Sequence, residues 1–175
     1  MPGRYQVRGA VANGPGRHGS VWYDVEIPDF AKSPLAMSDV VLVAEAAMAR
    51  PTLQPDRQLA DELPGPPTTL RDFPEGSRIA LYAEAYDNQL DRPHDLEVTV
   101  VVANEGGEAK FHAAETRTSR QLTESRGVVR VRVGIPLANL PPGLYTLSVD
   151  ARQTANRTVS AGRAVPFQVV RATAK

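Results

Sequence analysis

Pro141-Pro142-Gly143-Leu144-Tyr145-Thr146-Leu147-Ser148-Val149-Asp150-Ala151 is the stretch that decides the fold. Pro-Pro-Gly is a turn signal. After it Tyr145, Leu147, Val149 and Ala151 alternate with Thr146, Ser148 and Asp150. A period of two marks a strand with one buried face and one wet face. A turn followed by a tyrosine that opens such a strand matches the tyrosine corner of immunoglobulin-like sandwiches. There the ring packs inside and the hydroxyl bonds to nearby backbone.

The same alternation spreads outward in both directions. Val129, Val131, Val133 and Ile135 face in, with Arg130 and Arg132 out. Val165, Phe167 and Val169 mark the last strand. Upstream, Leu96, Val98, Val100 and Val102 form one strand, and the Asn104-Glu105-Gly106-Gly107 turn leads to another around Phe111. Ile79, Leu81, Ala83 and Ala85 share one side of a further strand, with Tyr82, Glu84 and Tyr86 on the other. The apolar run of 39–44 opens the set. Helix is its rival, since Glu45 to Arg50 could form a helical turn. The expected strands are thus 39–44, 78–86, 96–103, 109–113, 128–135, 144–151 and 164–170. Seven short strands over about 100 residues is the count of a Greek-key sandwich. The fold class read here is all-β, an immunoglobulin- or fibronectin III-like sandwich. Residues 115–126 read as irregular, and 51–76 as a long Pro-rich loop.

Ahead of this domain, 4–11 and 20–27 read as a β-hairpin joined by Asn13-Gly14-Pro15-Gly16. With an offset of 140, Pro2, Gly3 and Tyr5 match Pro142, Gly143 and Tyr145, while Ser20 and Val25 match Ser160 and Val165. Residues 1–32 are therefore expected to be a hairpin from the tail of an upstream repeat, and 33–175 the complete sandwich. A lone two-stranded hairpin is marginal in water. It must dock, or self-associate through open sheet edges. Trp22 and Tyr23 are the interface candidates.

Composition bounds the chemistry. The chain has 175 residues, with 20 basic and 20 acidic side chains. Balanced charge gives no general reason to expect nucleic acid or an anionic membrane as partner. The Arg126, Arg130 and Arg132 cluster reads as a solvated face. The absence of cysteine removes disulfides, thiolate nucleophiles and cysteine-ligated metals. No run approaches the ~20 apolar residues of a membrane helix, and no export signal follows Met1. Fifteen prolines and 13 glycines suit short strands and many turns.

No catalytic residue and no cofactor is expected. His18, His94 and His112 fall in separate segments and make no zinc pair. His18, Ser20 and Asp24 sit in one hairpin, whereas a triad assembles across a fold around an oxyanion hole. Asp87, Asn88, Asp91 and Asp95 place four hard oxygen donors in one loop, as calcium favours. Their spacing matches no EF-hand, and an acidic hairpin loop that only turns the chain is the plainer reading. Asn156-Arg157-Thr158 has the form of a glycosylation sequon.

Several segments carry a family resemblance. Ser20-Val21-Trp22-Tyr23-Asp24-Val25-Glu26-Ile27-Pro28-Asp29-Phe30 and Leu35-Ala36-Met37-Ser38-Asp39-Val40-Val41-Leu42 are two of them. Phe73-Pro74-Glu75-Gly76-Ser77, Leu81-Tyr82-Ala83-Glu84-Ala85-Tyr86 and Leu140-Pro141-Pro142-Gly143-Leu144-Tyr145 are the others. Together they resemble the C-terminal regions of bacterial von Willebrand factor A-related domain proteins of the acidobacterial type. The resemblance implies a β-sandwich module of a large exported protein, extracytoplasmic in the periplasm or beyond. It supplies no metal-binding Asp-x-Ser-x-Ser loop and no catalytic residue. The expected role is a non-catalytic structural or protein-interaction module. Binding of carbohydrate or another extracellular ligand is the alternative, and it needs an exposed aromatic platform from Tyr82, Tyr86 or Trp22.

Overall fold

A computed structural model describes residues 1–44 and 61–172. The rival expectation of a helical turn at 45–50, and the first part of the expected Pro-rich loop, lie outside the described residues. The chain divides into two compact units, Met1–Lys32 and Ser33–Lys175.

The first unit is one hairpin. Strand β1 (Gly3–Ala12) pairs antiparallel with β2 (His18–Ile27), with Tyr5 opposite Val25 and Val7 opposite Tyr23.

The second unit is a β-sandwich. Its strands are β3 (Leu35–Met37), β4 (Val41–Ala44), β5 (Pro67–Thr68), β6 (Asp72–Pro74), β7 (Arg78–Asp87), β8 (Leu96–Asn104), β9 (Ala109–Arg117), β10 (Val128–Pro136), β11 (Gly143–Gln153) and β12 (Ser160–Val170). One sheet runs β10-β7-β4-β5, with β3 also paired to β7, and the other runs β6-β12-β11-β8-β9. The chain crosses between the sheets on either side of β6, after β7 and on either side of β10, while β4–β5, β8–β9 and β11–β12 pair as sequence neighbours within a sheet.

All seven expected strands are present: β4, β7, β8, β9, β10, β11 and β12. Their inward residues make the core. Ile79, Leu81, Ala83, Ala85, Val131 and Ile135 from the first sheet are buried among Leu96, Val98, Val100, Val102, Leu147, Val149 and Ala151 from the second. Each large aliphatic side chain buried this way contributes about 1.5–3 kcal/mol. Arg130 and Arg132 face out as the alternation requires.

Three short strands and one helix were not legible as elements. β3 and β4 are two halves of one kinked edge on β7, joined where the Ser38 amide donates to the Glu84 carbonyl and the Ser38 hydroxyl accepts the Glu84 amide. The described part of the Pro-rich loop lies along sheet edges: β5 pairs with β4, and β6 runs parallel to β12. Phe73 on β6 is fully buried and packs at 6.0 Å from Phe167. The irregular reading of 115–126 is corrected. β9 continues to Arg117, and α1 (Ser119–Glu124) follows a Thr118 cap. The Thr118 hydroxyl accepts the Gln121 amide while the Gln121 side chain accepts the Thr118 amide. That reciprocal capping box satisfies two otherwise free donors.

Tyr145 behaves as a tyrosine corner. Its ring is buried and stacks at 5.6 Å on Phe167, and its hydroxyl donates to the Pro141 carbonyl at 2.8 Å. Tyr145→Phe keeps the stack and loses only that bond. It should cost about 1 kcal/mol, read as a lower urea midpoint with an unchanged slope.

Candidate functional site

Three places gather polar or exposed aromatic side chains. The first closes one end of the sandwich. Asp87 ends β7, His94 lies just before β8, and Gln153 ends β11. All three are buried, at 3%, 9% and 3% exposure. Each stands one period-two step beyond an apolar series: Asp87 after Ala85, His94 before Leu96, Gln153 after Ala151. The strand pleat aims Asp87 and Gln153 inward, and His94, two residues ahead of β8, keeps the same parity.

His94 Nε2 meets Asp87 Oδ2 at 2.5 Å, and its Nδ1 meets the Arg92 carbonyl at 2.7 Å. Both ring nitrogens face oxygen acceptors. Against an ionised Asp87, the imidazolium with its two N–H donors satisfies both. Burial alone would lower the His94 pKa. The Asp87 hydrogen bond, the Arg92 carbonyl and the charges of Asp87 and Asp95 outweigh it and hold the value above that of a free imidazole. Asp87 also accepts the Gln89 amide at 2.9 Å, and the Gln153 side-chain amide lies 3.4 Å and 3.5 Å from its two oxygens. The cluster thus bonds one sheet to the other. Neither ring nitrogen remains to take a proton from a third group, so the Asp–His pair lacks the geometry of a general base.

The calcium candidates do not converge. Asp87 is committed as above. The Asn88 side-chain amide donates to the Ser33 carbonyl at 2.8 Å. Asp91 is exposed beside Arg92. Asp95 accepts the Ser119 amide at 2.9 Å, in the first turn of α1. Among the described residues no three His, Cys, Asp or Glu side chains form a group able to hold a metal ion.

The second place is the outer face of the first sheet. Glu84 accepts the Tyr82 hydroxyl at 2.6 Å and the Tyr86 hydroxyl at 2.5 Å, with Arg130 at 3.5 Å. Burial would lift the Glu84 carboxyl, but the two phenols and the guanidinium hold it below the usual range. Burial, then the hydrogen bond to and the charge of Glu84, push both tyrosines above the ordinary phenol value. Tyr82 is 8% exposed and packs with Val43 and Leu63. Glu62 pairs with Arg130 and Arg132 across the same face. Of the aromatic rings that the carbohydrate-binding alternative would need exposed, Tyr82 is covered by the Leu63 segment, and the hydroxyls of Tyr82 and Tyr86 are both engaged by Glu84. A groove of about 480 Å³ remains between Glu62, Leu63, Tyr82 and Arg132.

The third place is the hairpin. Trp22 and Tyr23 are 67% and 72% exposed and lie on opposite faces, as strand alternation demands. The Trp22 face is polar and cross-linked: Arg4 pairs with Glu26 at 3.5 Å, and Gln6 donates to Asp24 at 2.9 Å. The Tyr23 face carries Tyr5, Val7, Val11, Val21, Val25 and Ile27. His18, Ser20 and Asp24 share one face of β2, with about 7 Å between alternate residues, and Asp24 is taken by Gln6. His94 and His112 lie before β8 and on β9.

Fold and sites together define an all-β chain, a two-sheet sandwich preceded by a β-hairpin, whose buried polar cluster is closed by its own partners. No protein-family model matches the sequence, and no curated protein does. Among solved structures, a calcium-binding mutant of Bacteroides uniformis beta-glucuronidase 2 aligns with TM-score 0.47 and 8% identity, over 78% of this chain and 14% of that one. A glycosyl hydrolase family 2 member from Bacteroides cellulosilyticus aligns with TM-score 0.44 and 7% identity, over 87% and 16%. Latent PorU from Porphyromonas gingivalis aligns with TM-score 0.39 and 13% identity, over 98% and 13%. The chain spans less than a fifth of the length of each. No helix of the described residues is long and apolar enough to cross a membrane.

Proposed function

We propose that the chain is a non-catalytic structural and protein-interaction module of a larger exported bacterial protein. The observation that carries the reading is the apolar hairpin face. Val7, Val21 and Tyr23 stand 59%, 68% and 72% exposed on it, while the opposite face is laced by polar pairs. Exposed contiguous apolar surface of this kind marks an interaction site. The order β4-β7-β10 against β9-β8-β11-β12 supports the immunoglobulin- or fibronectin III-like form. The resemblance to von Willebrand factor A-related proteins supports an extracytoplasmic setting.

The test is binding of an anilinonaphthalene dye, which reports exposed apolar surface. The wild-type chain should enhance its fluorescence. Val7→Lys combined with Tyr23→Lys should abolish most of that signal and leave the sandwich's unfolding transition in place. Equal dye binding by the double variant overturns the reading.

A second reading, carbohydrate binding, rests on Trp22. Its indole is exposed on the face that also carries Gln6 and Arg8, and an aromatic ring beside hydrogen-bonding groups suits a sugar. Binding on a glycan array that Trp22→Ala removes would establish it, and a blank array would exclude it.

A further inference from the structure

The hairpin repeats the last two long strands of the sandwich in bonding as well as in sequence. The Tyr5 hydroxyl donates to the Met1 carbonyl at 2.8 Å, as Tyr145 donates to Pro141 at 2.8 Å. Both bonds reach back four residues. Tyr5 pairs with Val25 as Tyr145 pairs with Phe167, and Gly3 pairs with Ile27 as Gly143 pairs with Val169. The register corrects the sequence match of Ser20 and Val25, which correspond to Gly162 and Phe167 rather than to Ser160 and Val165, and so refines the offset. It is 140 in the first strand and 142 in the second, because the second copy's connecting loop is two residues longer. A shift of two leaves every side chain on its face.

The two copies differ in what covers them. Tyr145, Leu147, Val149, Phe167 and Val169 are buried in the core between the two sheets. Their counterparts Tyr5, Val7, Gly9, Val25 and Ile27 belong to the face left largely open to solvent. The polar pairs Arg4–Glu26 and Gln6–Asp24 mark the opposite side as the one built for water. Two strands alone do not make a stable sheet.

We propose that β1 and β2 are the closing hairpin of a second sandwich of the same kind. Its remaining strands come from polypeptide preceding residue 1, and an opposing sheet patterned like β4-β7-β10 covers Val7, Tyr23 and Ile27. The proposal rests on the interaction-module reading and names its partner. The occupant is identified by the one covered example of this hairpin that the chain contains.

The chain has no cysteine, so one introduced thiol reports one position. Val7→Cys and Tyr23→Cys probe the apolar face, and Ser20→Cys probes the polar face. Each is made in the 175-residue chain and in a chain that also carries the preceding codons of its reading frame for one further domain, about 100 residues. Maleimide labelling should be fast for all three in the shorter chain. In the longer chain it should slow at least about tenfold at positions 7 and 23, as burial of a side chain in a packed core requires, and stay fast at 20. Fast labelling at both apolar positions in the longer chain overturns the proposal, as does a reading frame that begins at Met1. Protection in the shorter chain that grows with protein concentration assigns the face to a second copy. Protection there at every concentration assigns it to the chain's own residues. Either result overturns the proposal; the first leaves the dye experiment standing for the interaction module, and the second removes the dye signal as well.

Discussion

Asp87→Ala is expected to destabilise the sandwich by about 3–5 kcal/mol, the cost of breaking a buried ion pair from one side. Removing the carboxylate strands two buried partners. His94 Nε2 loses its 2.5 Å acceptor, and the Gln153 amide loses both oxygens near it. The Gln89 amide loses its acceptor as well. These bonds join β7, the His94 segment and β11, so the loss falls on the seam between the sheets. Urea unfolding should show a lower midpoint with the slope preserved. Asp87→Asn, which keeps the shape and an acceptor oxygen, should cost less.

The same pair gives the fold a pH dependence with a definite sign. The folded imidazole holds its proton more tightly than the unfolded one, so folding takes up protons. The stabilisation is complete below about pH 6.5, the value of a free histidine. It is lost as pH rises through the higher folded-state value. The urea midpoint of the wild-type chain should therefore fall as pH climbs above 6.5, and His94→Gln should remove that fall. A wild-type midpoint that rises over this range would show that the folded cluster favours the neutral ring.

Strand alternation carried most of the fold because its cause is local. A half-buried strand must place apolar side chains at every second position, and β7, β8, β10 and β11 each do so over four or more positions. The buried cluster had an equally local signal that the sequence reading passed over: Asp87, His94 and Gln153 each extend such a series by one step. A polar residue on the inward parity reads as the end of a strand unless the alternation is carried past it. Helix α1 also had a local signal in Thr118 and Gln121, the capping pair. β6 had none. Phe73 is one apolar residue between Asp72 and Pro74, and its burial is decided by Phe167, far along the chain. Likewise nothing near Tyr82 announces that Leu63 will cover it. Pairing set by distant residues leaves no period in the sequence, and that is why the Pro-rich stretch resisted reading.

Gly127→Ala should cost about 3 kcal/mol or more, and Gly107→Ala only about 1–2, although both glycines have nearly the same backbone conformation. Gly127 has φ +77° and Gly107 has φ +78°. An L-residue placed in this left-handed region loses roughly 1–2 kcal/mol, so the two substitutions share that term. They differ in what a methyl group meets. At Gly107, in the β8–β9 turn, nothing lies within 4 Å. At Gly127 the methyl falls inside contact distance of the Asp87 carbonyl oxygen, a backbone atom that no rotamer change can move. The approach is close because the Gly127 carbonyl accepts the Asp87 amide at 2.8 Å, while its own amide donates to the Leu122 carbonyl at 2.8 Å, where α1 ends. Arg126, with φ 54°, already spends one left-handed residue in that turn. Relieving the clash would shift the end of β7 and with it the Asp87 carboxylate, so strain at residue 127 adds to loss at residue 87. Neighbouring sites of this kind are not additive. Gly127→Ala made together with Asp87→Ala should therefore destabilise by less than the sum of the two, whereas Gly107→Ala with Asp87→Ala should add within about 0.5 kcal/mol. Equal losses for the two glycine variants, measured by urea unfolding, would show that the sandwich end yields freely and that the seam is held elsewhere.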